Sequence, residues 1–253
     1  NLNLNGKRLL TTPKHYAYLK IADGCSNCCT YCAIPLIRGK YRSRKMEDII
    51  AQAKELAQGG AKELILIAQD TTRYGQDIYD KLMLPELLRE LCKIEDVKWI
   101  RLLYCYPERV TDELIETIAS EEKILNYIDL PLQHVSENIL KMMNRTGNAK
   151  ILSELINKLR TKIPNIVLRT TFIVGFPSET EENFEELCNF ANEVQFDRMG
   201  CFTYSPEENT KAALFENQIS EEIKLKRQEI LMEQQNLILE RKCNSFPGKN
   251  VLT

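Results

Sequence analysis

Apolar positions recur along the chain in two alternating rhythms. Short continuous runs such as Glu63-Leu64-Ile65-Leu66-Ile67-Ala68 lack polar alternation and predict parallel strands covered on both faces. Between such runs, apolar residues return every three or four positions, as an amphipathic helix requires. Met46, Ile49, Ile50, Ala53, Leu56 and Ala57 set the first helix, with Ser43 as candidate N-cap and Gly59-Gly60 as its end. Further helices are predicted over about 82–92, 111–120, 136–143 and 149–162, and strands over 97–105, 127–130 and 166–174. Gly175-Phe176-Pro177 turns the chain into a helix capped by Ser178 or Thr180, whose apolar face is Phe184, Leu187, Cys188 and Ala191. A strand over about 198–204 and a long amphipathic helix over about 220–243 complete the series.

With the opening run over 16–22, six strands alternate with helices, which implies a parallel sheet with right-handed crossovers. A closed barrel of this kind needs eight. The expected fold is therefore α/β, an open partial (β/α)6 TIM-like barrel whose lateral gap admits a large substrate. In such folds the chemistry sits at the carboxyl ends of the strands. Gln69-Asp70, Gln133-His134 and Gly175-Phe176-Pro177 all fall there, and so does a cluster of cysteines.

That cluster is Gly24-Cys25-Ser26-Asn27-Cys28-Cys29-Thr30-Tyr31-Cys32, which places four of the nine cysteines within eight positions. Gly24 supplies backbone freedom for a tight turn at the end of the first strand. Cysteine thiolate is the standard ligand of iron-sulfur clusters, and three thiolates from one short loop can hold a metal centre. A structural zinc site normally pairs two Cys hooks far apart in sequence, whereas Cys92, Cys105, Cys188, Cys201 and Cys243 stand singly. Two spacings remain open on this reading: C-x3-C-x2-C through Cys29 and C-x2-C-x3-C through Cys28.

Composition narrows the class. The chain has 253 residues, is 43% hydrophobic and carries a net charge of -2. It can bury one substantial core, and it lacks the basic excess of a broad nucleic-acid surface. No apolar run reaches the length of a membrane span and no signal-peptide pattern is present, so the chain reads as cytoplasmic. An odd number of cysteines fits a reducing compartment better than a disulfide framework. One local basic run, from Arg38 to Lys45, reads either as a solvated face or as a patch that meets an acidic partner or a ligand carboxylate.

Cys25, Cys29 and Cys32, with Tyr31 directly before the last, resemble the cluster loop of the radical S-adenosylmethionine (SAM) enzymes. The resemblance selects C-x3-C-x2-C. It implies that Cys25, Cys29 and Cys32 bind three irons of a 4Fe-4S cluster and leave the fourth for the amino and carboxylate groups of SAM. Cys28 falls where such loops usually carry a non-ligand residue and reads as a bystander. The expected fold becomes the open barrel of the radical SAM type, with Tyr31 packed over the cluster or the adenine and Gln69 and Gln133 as SAM or substrate contacts. Arg169 interrupts an apolar strand and needs an anion, either the SAM carboxylate or a buried Asp or Glu. His15 and His134 have no metal spacing and no neighbouring nucleophile, and neither is assigned a catalytic role.

Beyond the loop, residues 18–44, 64–75, 129–145, 170–182 and 196–207 resemble the methylthiotransferases, so the likeness spans nearly the whole chain. Stretches 33–41, 68–75, 130–134 and 202–207 look like the branch that modifies a small-subunit ribosomal protein, while Ser178 and Asn209-Thr210-Lys211 depart slightly from it. This resemblance implies reductive cleavage of SAM to a 5'-deoxyadenosyl radical and methylthiolation of an aspartate β-carbon, with a low-potential electron donor such as a flavodoxin or ferredoxin. It also implies a second 4Fe-4S cluster in an N-terminal domain and a C-terminal TRAM domain. The expected division is a linker remnant over 1–14, the partial barrel over 15–243 and a linker over 244–253, a fragment that cleaves SAM without completing methylthiolation alone. Two other readings are weighed: a tRNA adenosine methylthiotransferase core, and a metal-binding module without enzymatic activity.

Overall fold

The computed structural model describes residues 11–244. The linkers expected over 1–14 and 244–253 therefore lie largely outside the described residues. Strand β1 (Tyr16–Lys20) leads to two short strands, β2 (Ala22–Asp23) and β3 (Arg42–Ser43), with the unanticipated helix α1 (Ile34–Arg38) between them. The alternation continues with α2 (Met46–Gln58), β4 (Glu63–Ile67), α3 (Leu84–Cys92), β5 (Trp99–Leu102), α4 (Asp112–Ser120) and β6 (Tyr127–Gln133). It ends with α5 (Glu137–Met142), α6 (Ala149–Lys162), β7 (Val167–Val174), α7 (Glu181–Val194), β8 (Arg198–Thr203) and α8 (Glu221–Asn244).

The six long strands form two parallel three-stranded sheets, in the orders β1-β4-β5 and β6-β7-β8. The sheets meet where Ile100 donates to Lys123 at 2.7 Å and Cys105 donates to the Asp129 carbonyl at 2.9 Å. Among the described residues β8 does not pair with β1, so the arc stays open. Ala17, Leu19, Leu64, Leu66, Ile100 and Leu102 are fully buried and build the layer between strands and helices. The alternate residues face the inside of the arc and are more polar. There Arg101 donates to Glu63 at 2.6 Å and Arg169 to Asp129 at 2.7 Å.

Several expectations need correction. Ser43 does not cap α2, whose N-cap is Lys45. Its hydroxyl instead donates to Asp77 at 2.6 Å and accepts from the Gly75 N–H at 2.9 Å, because β3 has already committed Ser43 to an extended backbone. Strand β6 runs on to Gln133 through a register shift after Leu130. Thr180, not Ser178, caps α7, in a reciprocal capping box with Asn183.

Helix α8 also departs from simple amphipathicity. Its buried stripe is Lys224, Arg227, Leu231, Gln235 and Ile238, while Ile223, Leu225, Ile230 and Leu237 are exposed. The reason lies in what the helix covers. Strand β8 is an edge with carbonyls to satisfy, and Gln228 donates to the Cys201 carbonyl at 2.7 Å while Gln235 donates to that of Phe196 at 3.1 Å. A polar stripe is needed to close such an edge.

Candidate functional site

The cysteine loop leaves β2 and the chain returns in β3, and these two short strands form a sheet of their own. Strands β2 and β3 pair antiparallel across its base, and the Cys25 N–H donates to the Gly39 carbonyl at 3.1 Å. Gly24 stands at φ +74°, and a Cβ there would lie 2.3 Å from the Lys40 carbonyl oxygen. Only glycine fits this crossing. Within the loop, Cys28 takes a left-handed backbone, φ +53°, and is exposed. Cys25, Cys29 and Cys32 instead line a cavity of about 490 Å³ at the carboxyl end of the strands.

Among the described residues, no group of three or more His, Cys, Asp or Glu side chains is arranged around a single metal ion. Three thiols spread over one cavity wall suit a larger body bound at several corners, and soft sulfur donors suit an iron-sulfur cluster. Burial raises the pKa of the Cys25 thiol, with the Asn27 N–H opposing it, and burial likewise raises that of Cys32 against the Ile34 N–H. Free of metal, these two groups hold their protons, and ligation would release them.

Gln69 and Gln133, at the ends of β4 and β6, line the same cavity, as does Tyr31. Gln69 Oε1 is buried and has no hydrogen-bond partner among the described residues, which leaves an acceptor at the wall for a bound group. Gln133 stands at φ +71°, just past the β6 register shift. Such a conformation costs about 1–3 kcal/mol and is often found where a binding site dictates the backbone. Arg169 lies elsewhere. It is not part of the cavity wall, and its anionic partner is the buried Asp129 within the arc. His134 is also buried, with Nδ1 accepting from the Ser136 N–H at 3.0 Å and Nε2 3.6 Å from Glu179 Oε2.

The loop is clamped from two directions. Buried Asp70, at the end of β4, accepts from Asn27 Nδ2 at 2.9 Å, Thr72 Oγ1 at 2.6 Å and Arg109 Nη1 at 2.9 Å. From the other half of the arc, just past α5, Asn144 Nδ2 donates to the Asn27 and Cys28 carbonyls, and the Thr30 N–H donates to the Met143 carbonyl at 3.1 Å. Segments from both halves of the arc thus position the thiols. The basic run divides: Arg44 turns inward to the Lys20 carbonyl and Gln52, whereas Arg38, Arg42 and Lys45 are exposed.

Two cavity residues escaped the sequence reading. Arg145 is buried, donates to the Pro131 carbonyl at 2.9 Å and, among the described residues, forms no ion pair. Tyr106 places its hydroxyl 3.8 Å from Cys29 Sγ. The only signal for either was position, Tyr106 just after a strand and Arg145 at the end of a stretch that resembles the methylthiotransferases.

Comparison with known proteins bears on this arrangement. The profile of the Radical SAM superfamily matches residues 19–191. The chain is 63% identical over 231 residues to the ribosomal protein uS12 methylthiotransferase RimO of Caldanaerobacter subterraneus, covering 91% of this chain and 53% of that one. It is 57% identical over 240 residues to the protein of the same name from Clostridium kluyveri, covering 94% and 54%. The chain thus spans about half the length of the curated relatives it matches. Among solved structures, the radical SAM enzyme coproporphyrinogen III oxidase HemN of Escherichia coli superposes with a TM-score of 0.63 at 18% identity, covering 87% of this chain and 52% of that one. The radical SAM methyltransferase TsrM of Kitasatospora setae gives 0.60 at 16%, covering 76% and 38%. At these identities the two structures speak for the fold alone.

Proposed function

We propose, since the chain belongs to the radical SAM superfamily, that residues 15–243 are the radical core of a methylthiotransferase acting on an aspartate β-carbon of the small-subunit ribosomal protein uS12. The observation that carries this reading is the sorting of the cysteine loop. Cys25, Cys29 and Cys32 line one cavity, and Cys28 is turned out of it. The 63% identity to a ribosomal protein uS12 methylthiotransferase supports the choice of reaction and substrate.

In this reading Cys25, Cys29 and Cys32 hold a 4Fe-4S cluster by three corners. When bound and reduced, by a donor such as a flavodoxin or ferredoxin, the cluster supplies the electron that cleaves SAM to a 5'-deoxyadenosyl radical. The protein's own residues bind, orient and exclude water. Gln69 Oε1 offers an unsatisfied acceptor to the SAM ammonium, and Arg145 offers a buried cation to a carboxylate. Gln133 presents its amide from a held, strained backbone. Tyr31, Ile34, Ile67 and Pro131 give the wall an apolar surface that keeps a reactive species from water. No described helix is long and apolar enough to cross a membrane, which is compatible with work in the cytoplasm.

Anaerobic reconstitution with iron and sulfide, followed by reduction with SAM and an assay for 5'-deoxyadenosine, tests the core. The intact protein is expected to form it, Cys29→Ala to lose at least 100-fold of that activity, on the order of 3 kcal/mol, and Cys28→Ala to retain it. Loss in Cys28→Ala with retention in Cys29→Ala would overturn the ligand set. A loaded cluster that never cleaves SAM would overturn the enzymatic reading.

A further inference from the structure

Tyr106 stands in the segment after β5, and three contacts set its place. Its backbone N–H donates to Thr72 Oγ1 at 3.0 Å, and Thr72 donates in turn to Asp70 at 2.6 Å. The Arg109 guanidinium carbon lies 5.0 Å from the centre of the Tyr106 ring, and that of Arg145 lies 4.1 Å from it. Arg109 is itself bonded to Asp70 at 2.9 Å. The result is an aromatic ring met by two cations, with its hydroxyl 3.8 Å from Cys29 Sγ. That separation is long for an oxygen acceptor but within reach of a larger, softer sulfur.

Between a free thiol and a phenol, either group can donate. A metal-bound thiolate has no proton to give, so only the tyrosine can. Two guanidinium groups over the ring draw electron density from it and strengthen the O–H as a donor. Hydrogen bonds to cluster sulfurs are among the factors that set a cluster's reduction potential. The reduced state carries one more negative charge, so a donor at the thiolate favours it.

We propose that Tyr106 is a positioning and tuning residue whose hydroxyl donates to Cys29 Sγ when that sulfur is a cluster ligand. With Arg109 and Arg145 on its ring, it raises the potential at which the cluster accepts its electron. This rests on the cluster reading above. It assigns to the segment after β5 the role of making reduction accessible to the electron donor, apart from any contact with SAM.

The test uses the full-length protein, reconstituted anaerobically and titrated electrochemically with detection of the reduced cluster by electron paramagnetic resonance. Tyr106→Phe keeps the ring and removes the donor. It is expected to bind the same iron and sulfide per chain, while its potential moves negative. At a fixed applied potential the reduced-to-oxidised ratio should fall about tenfold, or about 59 mV for one electron. In deuterated buffer, a deuteron coupling to the reduced cluster should be present in the parent and weakened in the variant. A fluorinated tyrosine at position 106, a stronger donor, should move the potential the other way. Equal iron content with unchanged potentials in both variants would overturn the proposal. Failure of the parent to assemble a 4Fe-4S cluster would instead overturn the reading on which it rests.

Discussion

Asp70 and Glu179 occupy matching places in the two halves of the arc, just past β4 and just past β7, and both are buried. Each is met by an arginine. Asp70 receives Arg109 from the segment after β5 and Asn27 from the cysteine loop, so it joins two loops that border the cavity. Glu179 receives Arg227 at 2.7 Å from α8 and the Gly175 N–H at 2.9 Å from the turn after β7. The same kind of buried charge therefore orients a site in one half and fastens the last helix in the other. What a buried carboxylate fixes depends on which element supplies its donors.

The largest effect is expected where the pair is most enclosed. Arg227→Met removes the cation from Glu179 and should cost about 3–5 kcal/mol of stability, measured by urea unfolding. A loss under about 1 kcal/mol would show that the two clamps do not differ as described. The change leaves the thiols alone, so iron bound per folded molecule should stay the same.

Asp70→Asn should behave in the opposite way. Arg109 keeps partial access to water, with a side-chain exposure of 24%, so the cost in stability should be about 2 kcal/mol, between the exposed and buried limits. Its larger consequence should be slower and less complete iron incorporation, because one of the two oxygens that between them accept from Asn27, Arg109, Thr72 and the Arg73 N–H becomes an amide donor, and the anchor of the cysteine loop is disturbed. Unchanged loading would break the link between Asp70 and the thiols.

Arg169→Gln gives the smallest effect and sharpens the comparison. Its side chain is 40% exposed although Asp129 is buried, so about 1 kcal/mol is expected. The KM for SAM should not change, since Arg169 stands outside the cavity wall. A tenfold rise in that KM would return the SAM carboxylate to this arginine.

Much of the fold was legible because burial imposes a local rhythm. The apolar runs of β4 and β7 and the helical spacing of α2 and α7 need no distant information to be read. Burial of α8 was less legible, because Arg227 and Gln235 are buried there to satisfy Glu179 and the Phe196 carbonyl beside β8, while Lys224 is buried against Glu221 and the Tyr204 ring. The crowding of Cys25, Cys28, Cys29 and Cys32 is likewise a property of the chain, and so is the need for Gly24 before it.

The sequence by itself determined the alternation of strands and helices, the single cysteine loop and its place at a strand end. These follow from side-chain periodicity and from ligand donors that are neighbours in the chain. Only the tertiary structure decided that Arg169 pairs with Asp129, that Arg145 and Tyr106 join the cavity, and that Asp70 and Glu179 clamp different elements. A buried polar group takes whichever partner the packing of remote segments brings within hydrogen-bond reach, and that distance is not encoded in the spacing of residues along the chain.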